Sequence, residues 1–481
     1  MYKPLCHPSK VLINLRYKEI PVMISWINIF RSTLIVVCLI NSLGLVYGQN
    51  SKSVGDNRNI YTLERCIKIA IDNNPGIKIA EKQVEAQRAI VYGSYSEIMP
   101  RITATILNAN RTKSGDTAVI LDGIVIQNSP GSTRTNFNKS VGLTMPIYNG
   151  GRNWNLIRRN KQVVNNQEFG ELNTINQVIV DVKTGFYTLL KAIRLKEVIE
   201  EQVRLNEQQL RMAESKYQIG SVAKVDVLQA KANLGNIRIN LQNQRKAVLQ
   251  ARAELNSVMG SDHSQHIEIV DPLETKPIDN TPLISLEEAL RKAELTNPAI
   301  QRDTGGIRSA VLQTKIARGG LWPTVSGNIS YNRSAVSFQD VYGTYDKNWR
   351  LSFNLNLSLP ILNGTQTYAD ISQAHVQRMI ADETLRQTRR TTSLTIRRAL
   401  LDLDTAQEVI TLSNDNIVAS EESLKLAEER YRIGSGTLID VFMAQEALTR
   451  VKSELASSQY DYLIALGRLD GAIGRKLPNS R

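Results

Sequence analysis

Cysteine, histidine and aromatic residues are all scarce. Three cysteines occur in 481 residues, and two of them, Cys6 and Cys38, fall in an N-terminal stretch that reads as a leader. Cys66 alone remains, so no intramolecular disulfide can form and a small stapled secreted fold is excluded. Aromatics make up 6% of the chain against 42% hydrophobic residues in all, which suits long polar helices better than a compact enzyme. There is no Gly-rich phosphate loop with its lysine, no Ser-His-Asp order, no carboxylate dyad in an apolar setting and no nucleophile motif. The best metal-ligating run is Asp262-His263-Ser264-Gln265-His266-Ile267-Glu268. It has no second cluster to complete it and reads as a solvated loop, while His375 stands alone on a helical stretch. No enzyme and no cofactor is expected.

Basic Arg31 followed by the apolar run Ser32 to Val46 and Val46-Tyr47-Gly48 reads as a secretory signal peptide covering residues 1–48. Met23 begins a signal of more ordinary length, so residues 1–22 are an extended leader or a misplaced start. Cys38 follows Val36-Val37, where a lipoprotein would need a small residue. Loss of the leader removes five cations and Glu19, taking the formal charge from +13 to +9. These charges spread along the helices without a compact patch, so nucleic acid is not an expected partner.

What the chain does have is a repeat. Leu143-Thr144-Met145-Pro146-Ile147-Tyr148-Asn149-Gly150 returns as Leu357-Ser358-Leu359-Pro360-Ile361-Leu362-Asn363-Gly364, and Tyr217-Gln218-Ile219-Gly220 returns as Tyr431-Arg432-Ile433-Gly434, both at an offset of 214. Asn74-Pro75 and Pro100 return as Asn297-Pro298 and Pro323 at an offset of 223. Two near-equivalent units follow, at 60–284 and 285–470, and the nine extra residues of the first fall in a tolerant exposed loop.

Within each unit the periodicity changes at the prolines. From Trp349 to Leu359 the odd positions are apolar and the even ones polar, which is the alternation of a strand with two different faces. Strands are expected at about 101–111, 137–146, 324–333 and 349–360, one hairpin per unit. They are long enough to cross a bilayer at a tilt, and their polar face is small and uncharged enough to line water. A sheet with one face on a soluble core would alternate in the same way. Four strands cannot close a barrel, since single-chain barrels start at about eight, and an open edge in lipid leaves backbone groups unpaired. If the strands span a membrane, several chains must share one barrel.

The stretches 151–219 and 365–433 carry coiled-coil spacing in Ile179, Val182, Phe186, Leu189 and Ile193, and in Ile396, Leu400 and Leu403. As helices they would be rods of roughly 100 Å at ~1.5 Å per residue, too charged for lipid. Tips at 219–224 and 433–438, built on Gly220-Ser221 and on Gly434-Ser435-Gly436, turn the chain back into return helices. An irregular segment at 260–284 packs on the rod, and a tail is expected from Gly471 to Arg481.

These features together resemble the TolC family of outer-membrane efflux and secretion channels. The resemblance rests on Leu63-Glu64 with Asn74-Pro75 and their repeat at Leu286-Glu287 with Asn297-Pro298, and on the strand and helix junctions at Pro100, Pro146, Gly150, Pro323, Pro360 and Gly364. It rests also on the tips ending in Val225-Asp226-Val227 and Ile439-Asp440-Val441. It implies a mainly α fold with a small β part: a homotrimer sharing one transmembrane barrel of twelve strands, four from each chain, continued by an α-helical coiled-coil barrel through the periplasm. It implies a passive conduit in the outer-membrane lipid, joined by a periplasmic adaptor (membrane fusion) protein, at the tip turns, to an inner-membrane pump of RND or ABC type. It also implies a periplasmic gate in which Asp226 and Tyr431 link the two tips and Asp440 forms an acidic ring. Gly436 stands where the family's latch has an arginine, and Met443 where a second ring has aspartate, so a rewired latch through Arg430 or Arg432 is expected. Capping of the return helices is the other role open to Asp226 and Asp440. A structural coiled-coil stalk or adhesin on a trimeric anchor is the alternative function.

Overall fold

The computed structural model describes residues 60–474 apart from 122–123, 275–283 and 344–345; residues 1–59, where the leader is expected, and those beyond 474 lie outside the described residues. In chain order the elements are β1 (Ile60–Tyr61), α1 (Leu63–Asn73), α2 (Pro75–Ser94), β2 (Arg101–Lys113), β3 (Thr117–Leu121), β4 (Ile124–Ser129), β5 (Thr133–Asn149), α3 (Arg152–Gln218) and α4 (Lys224–Met259). They continue with β6 (Glu268–Ile269), α5 (Leu286–Thr296), α6 (Pro298–Arg318), β7 (Thr324–Ala335), α7 (Phe338–Tyr342), β8 (Trp349–Ser358), α8 (Gln366–Arg432) and α9 (Leu438–Ile473).

The duplication holds to single hydrogen bonds. Thr62 caps α1 by accepting from the Arg65 amide, and Ser285 caps α5 by accepting from the Glu288 amide, both at 3.3 Å. Asn74 ends α1 and opens α2: its side-chain oxygen accepts from the Gly76 amide at 2.8 Å, while its Nδ2 donates to the Val258 carbonyl at 2.7 Å. Asn297 does the same between α5 and α6, accepting from Ala299 at 2.9 Å and donating to Ala472 at 2.8 Å. The proline that follows each asparagine occupies the first helical position, where no amide donor is needed. α3 and α8 are each 67 residues long, and α4 and α9 are each 36.

α3 packs on α4, and α8 on α9, while α6 lies between the rods α3 and α8. The coiled-coil residues carry this packing. Val182, Phe186 and Leu189 are buried in one core with Leu255, Met259 and Tyr460, and Ile396 and Leu403 in another with Tyr462 and Leu469, while Ile179 is buried outside both clusters. The irregular segment is tied to the first core by buried Ile267, by the parallel pairing of β6 with β1, and by Tyr460, whose hydroxyl donates to Asp271. Asp262 closes a local turn on Ser264, and His266 lies against Arg252, so this run does not converge on one point. Among the described residues no group of three or more His, Cys, Asp and Glu side chains could hold a metal ion.

The long strands form one antiparallel sheet in the order β2-β5-β7-β8. β5 runs Thr133–Asn149, beyond the expected 137–146, so Pro146 lies inside a strand. It is tolerated there because the register shifts between Pro146 and Tyr148, a bulge where a missing amide breaks no ladder. Pro100 and Pro323 each precede a strand, and β8 stops at Ser358, ahead of Pro360. The first unit carries an additional small hairpin, β3 with β4, within the connection that holds its extra residues. Its sequence signal is Asp122-Gly123 between two β-branched runs.

Gly150 adopts φ +67°, and a Cβ there would stand 2.3 Å from the Gly319 carbonyl oxygen, so the strand-to-rod corner admits glycine alone. The chain end also differs from expectation. Gly471, Ala472 and Ile473 belong to α9, the Gly471 carbonyl accepts from Asn176 at 2.7 Å, and the helix is closed by Gly474 in the left-handed conformation, as Gly260 closes α4.

Candidate functional site

The two tips have the same turn. Each rod ends in a left-handed glycine, Gly220 at φ +77° and Gly434 at φ +80°. The next residue's amide then reaches back to a rod carbonyl, Ser221 to Lys216 and Ser435 to Arg430, both at 2.9 Å. Such closure satisfies carbonyls that a helix end leaves open. Beyond the turn the tips part. In the second, Thr437 and Asp440 form a reciprocal cap: the Asp440 amide donates to Thr437 Oγ1 at 3.2 Å, and the carboxylate accepts from the Thr437 amide at 3.0 Å and its hydroxyl at 2.8 Å. In the first, Ala223 precedes α4 and no side chain caps it.

Of the expected gate residues, Tyr431 is buried in the cluster that joins the tips, with Ala213 and Ala230 of the first hairpin and Leu438, Val441 and Leu448 of the second. Its hydroxyl has no hydrogen-bond partner among the described residues. Burial, then the nearby charge of Asp226, raises its pKa above the ordinary tyrosine value. Asp226, in the first turn of α4, thus stands within electrostatic reach of Tyr431 without a hydrogen bond to it. Asp440 is exposed on α9, and its bonds to Thr437 hold its carboxyl below the usual aspartate value. No hydrogen bond joins it to Asp226 or Tyr431 within one chain.

The contact across the tips comes from Lys216. Its Nζ donates to the Tyr431 carbonyl at 2.5 Å and to the Arg432 carbonyl at 3.4 Å, and lies 4.1 Å from the centre of the Tyr431 ring. A cation from one hairpin therefore sits on the negative C-terminal end of the other hairpin's rod. Arg432 is engaged by Glu429 at 2.6 Å on its own helix, and Arg430 acts on Asp440 through its charge. Gly436 has a local cause: a Cβ there would lie 3.0 Å from that of Arg430. Met443 is exposed. Lys216 has a sequence signal, being the repeat partner of Arg430, but nothing in the sequence shows which carbonyls it reaches.

At the other end of the rods the sheet presents two unlike faces. Ile102, Leu143, Ile329 and Phe353 stand opposite one another across all four strands, as do Ala104, Val141, Tyr331 and Leu351. Between these rows lie Thr103, Gly142, Ser330 and Ser352, and Thr105, Ser140, Asn332 and Arg350. The apolar face is bare, with Phe353 70% and Leu355 73% exposed. Trp349 stacks on Tyr331 at one end of this face, and Trp154 and Trp322 are exposed at the other, the aromatic flanks of an interfacial band. From Trp349 to Leu357 the outward residues of β8 cover about 26 Å of strand, or about 20 Å across a bilayer at a ~40° tilt. β2 and β8, the two edges, pair with no other strand on their outer sides among the described residues. No described helix is long and apolar enough to cross a membrane.

Known proteins share this arrangement. The chain is 23% identical over 344 residues to outer membrane protein TolC of Escherichia coli, covering 70% of this chain and 69% of that protein. It is 23% identical over 423 residues to outer membrane efflux protein BepC of Brucella suis, covering 86% and 85%. Among solved structures, the Campylobacter jejuni CmeC outer membrane channel superposes with a TM-score of 0.73 at 19% identity, covering 86% of this chain and 85% of that one. VceC of Vibrio cholerae gives 0.71 at 15% identity, covering 86% and 96%. The family model described as outer membrane efflux protein matches residues 66–261 and 289–475, most of both repeats. Two-faced strands, paired rods and glycine tips are thus the parts of an efflux channel, and the chain belongs to the outer membrane efflux protein family.

Proposed function

We propose that three copies close into one channel, β8 of each chain pairing with β2 of the next to give a barrel of twelve strands in the outer membrane. The observation that carries this reading is the four-stranded sheet with two open edges, a bare apolar face and a polar face. Open edges in lipid cost several kcal/mol per unpaired group, and closure on neighbouring copies removes them. The rods continue the barrel as a helical tunnel across the periplasm. The chain is a passive conduit for small molecules or polypeptides, driven by an inner-membrane pump of RND or ABC type and joined to it by a periplasmic adaptor at the tip turns Gly220-Ser221 and Gly434-Ser435-Gly436. Lys216 and Tyr431, with Asp226 beside them, hold the two hairpins of each chain together at the closed end through the Lys216 contacts. Asp440 both caps α9 and contributes one carboxylate of three to a ring on the axis.

Reconstitution into planar bilayers tests the reading. Purified trimers are expected to carry ion current that trivalent cations block from the tip side, and Asp440→Asn should weaken that block about tenfold. Absence of current from assembled trimers would leave a stalk rather than a channel. Current with undiminished block in the variant would leave Asp440 as a helix cap only.

A further inference from the structure

The four long strands contain no aspartate or glutamate, and every charged residue in them is basic. Arg111, Lys113, Lys139 and Arg333 fall on the apolar face by their register. The other three are on the polar face. Arg101 lies opposite Thr144 at the rod end of the sheet; Arg350, opposite Asn332, and Arg134, opposite Thr112, lie towards the far end. All three are exposed, and none forms an ion pair among the described residues. Their partners across the strands are Thr144, Thr112 and Asn332, which supply no compensating charge.

We infer that the membrane end of the conduit attracts anions and favours cargo bearing phosphate, sulfate or carboxylate groups over cationic cargo. This rests on the trimeric barrel proposed above, in which the polar face lines the lumen and three chains bring nine guanidinium groups into it. Basic rings in a narrow passage with low-dielectric walls raise the local concentration of anions and exclude cations. The acidic groups of the tips cannot offset them. Asp226 and Asp440 lie at the far end of rods of 67 residues, roughly 100 Å away, against a screening length of ~8 Å at physiological salt. The membrane end of the conduit therefore carries a basic charge that the distant tips do not neutralise.

The test compares the wild-type trimer in planar bilayers with the triple variant Arg101→Ser, Arg134→Ser, Arg350→Ser, using inositol hexakisphosphate added on the side of the strand connections. The wild type should be blocked by the polyanion, and the variant about tenfold less. The reversal potential in a KCl gradient should move towards the cation value in the variant. Equal block and equal reversal potential in the two would overturn the inference while leaving the barrel intact. Should the triple variant fail to assemble, Arg350→Glu alone carries the same comparison, with the opposite sign of charge at one ring. Assembled trimers without current in any form would remove the barrel reading itself, and the inference with it.

Discussion

Lys216 shows how much a single side chain does at the tips. The last turn of a helix leaves its carbonyls open, and here the ammonium of a neighbouring helix takes two of them while lying over the ring of Tyr431. Because the Tyr431 pKa is raised, the phenol stays neutral throughout the physiological range and the ring, not a phenolate, meets the cation. Lys216→Met keeps the length of the side chain and removes its charge. The expected outcome is a several-fold higher open probability in planar bilayers, with Lys216→Arg close to the wild type. An unchanged open probability in Lys216→Met beside an increased one in Tyr431→Ala would assign the restraint to burial of the ring. Cys66 belongs to this scale as well. Burial pushes its thiol up to about 11, so it should resist alkylation at pH 8 until the protein is denatured, as a mass shift would report.

At the scale of elements, the two asparagine corners are equivalent. Each caps one helix and ties it to the last turn of a return helix. Asn74→Ala and Asn297→Ala should each cost about 1–3 kcal/mol, a lost cap plus a carbonyl left without its donor, and thermal melting should show similar losses for the two. A large inequality would mean that the repeat is structural in outline only. These corners, the rods and the strands were legible in the sequence because each depends on local pattern: Asn-Pro for the corner, steps of three and four for the rods, alternation for the strands. Pro146 was legible as a breaker but not as a bulge residue, since its tolerance depends on the partner strand β7. Gly474 lies 214 residues after Gly260, so the true end of α9 could be read from the repeat, whereas glycine at 471 alone suggests an earlier stop. Of the tip residues, Asp440 was legible as a cap of α9, but the reach of Lys216 across two hairpins was not.

At the scale of the whole molecule, the sheet is a single layer whose faces meet different media. Leu355 on the apolar face and Asn354 on the polar face are adjacent residues near the middle of β8, so lysine at each place tests the assignment. Leu355→Lys should cost roughly 2–4 kcal/mol at the bilayer midplane and reduce assembly into vesicles, whereas Asn354→Lys should insert normally. Equal insertion of the two would argue for a sheet that faces water on both sides.

The unequal capping of the return helices has a mechanical outcome. α9 begins under a reciprocal lock between Thr437 and Asp440, and α4 begins at Ala223 without one, although the rods that deliver them end alike. A helix start without side-chain partners frays more readily. Around a threefold ring the six ends would then alternate, one firm and the next yielding. A protein gripping that rim meets three fixed posts to register against and three pliant ones that can bend to its shape.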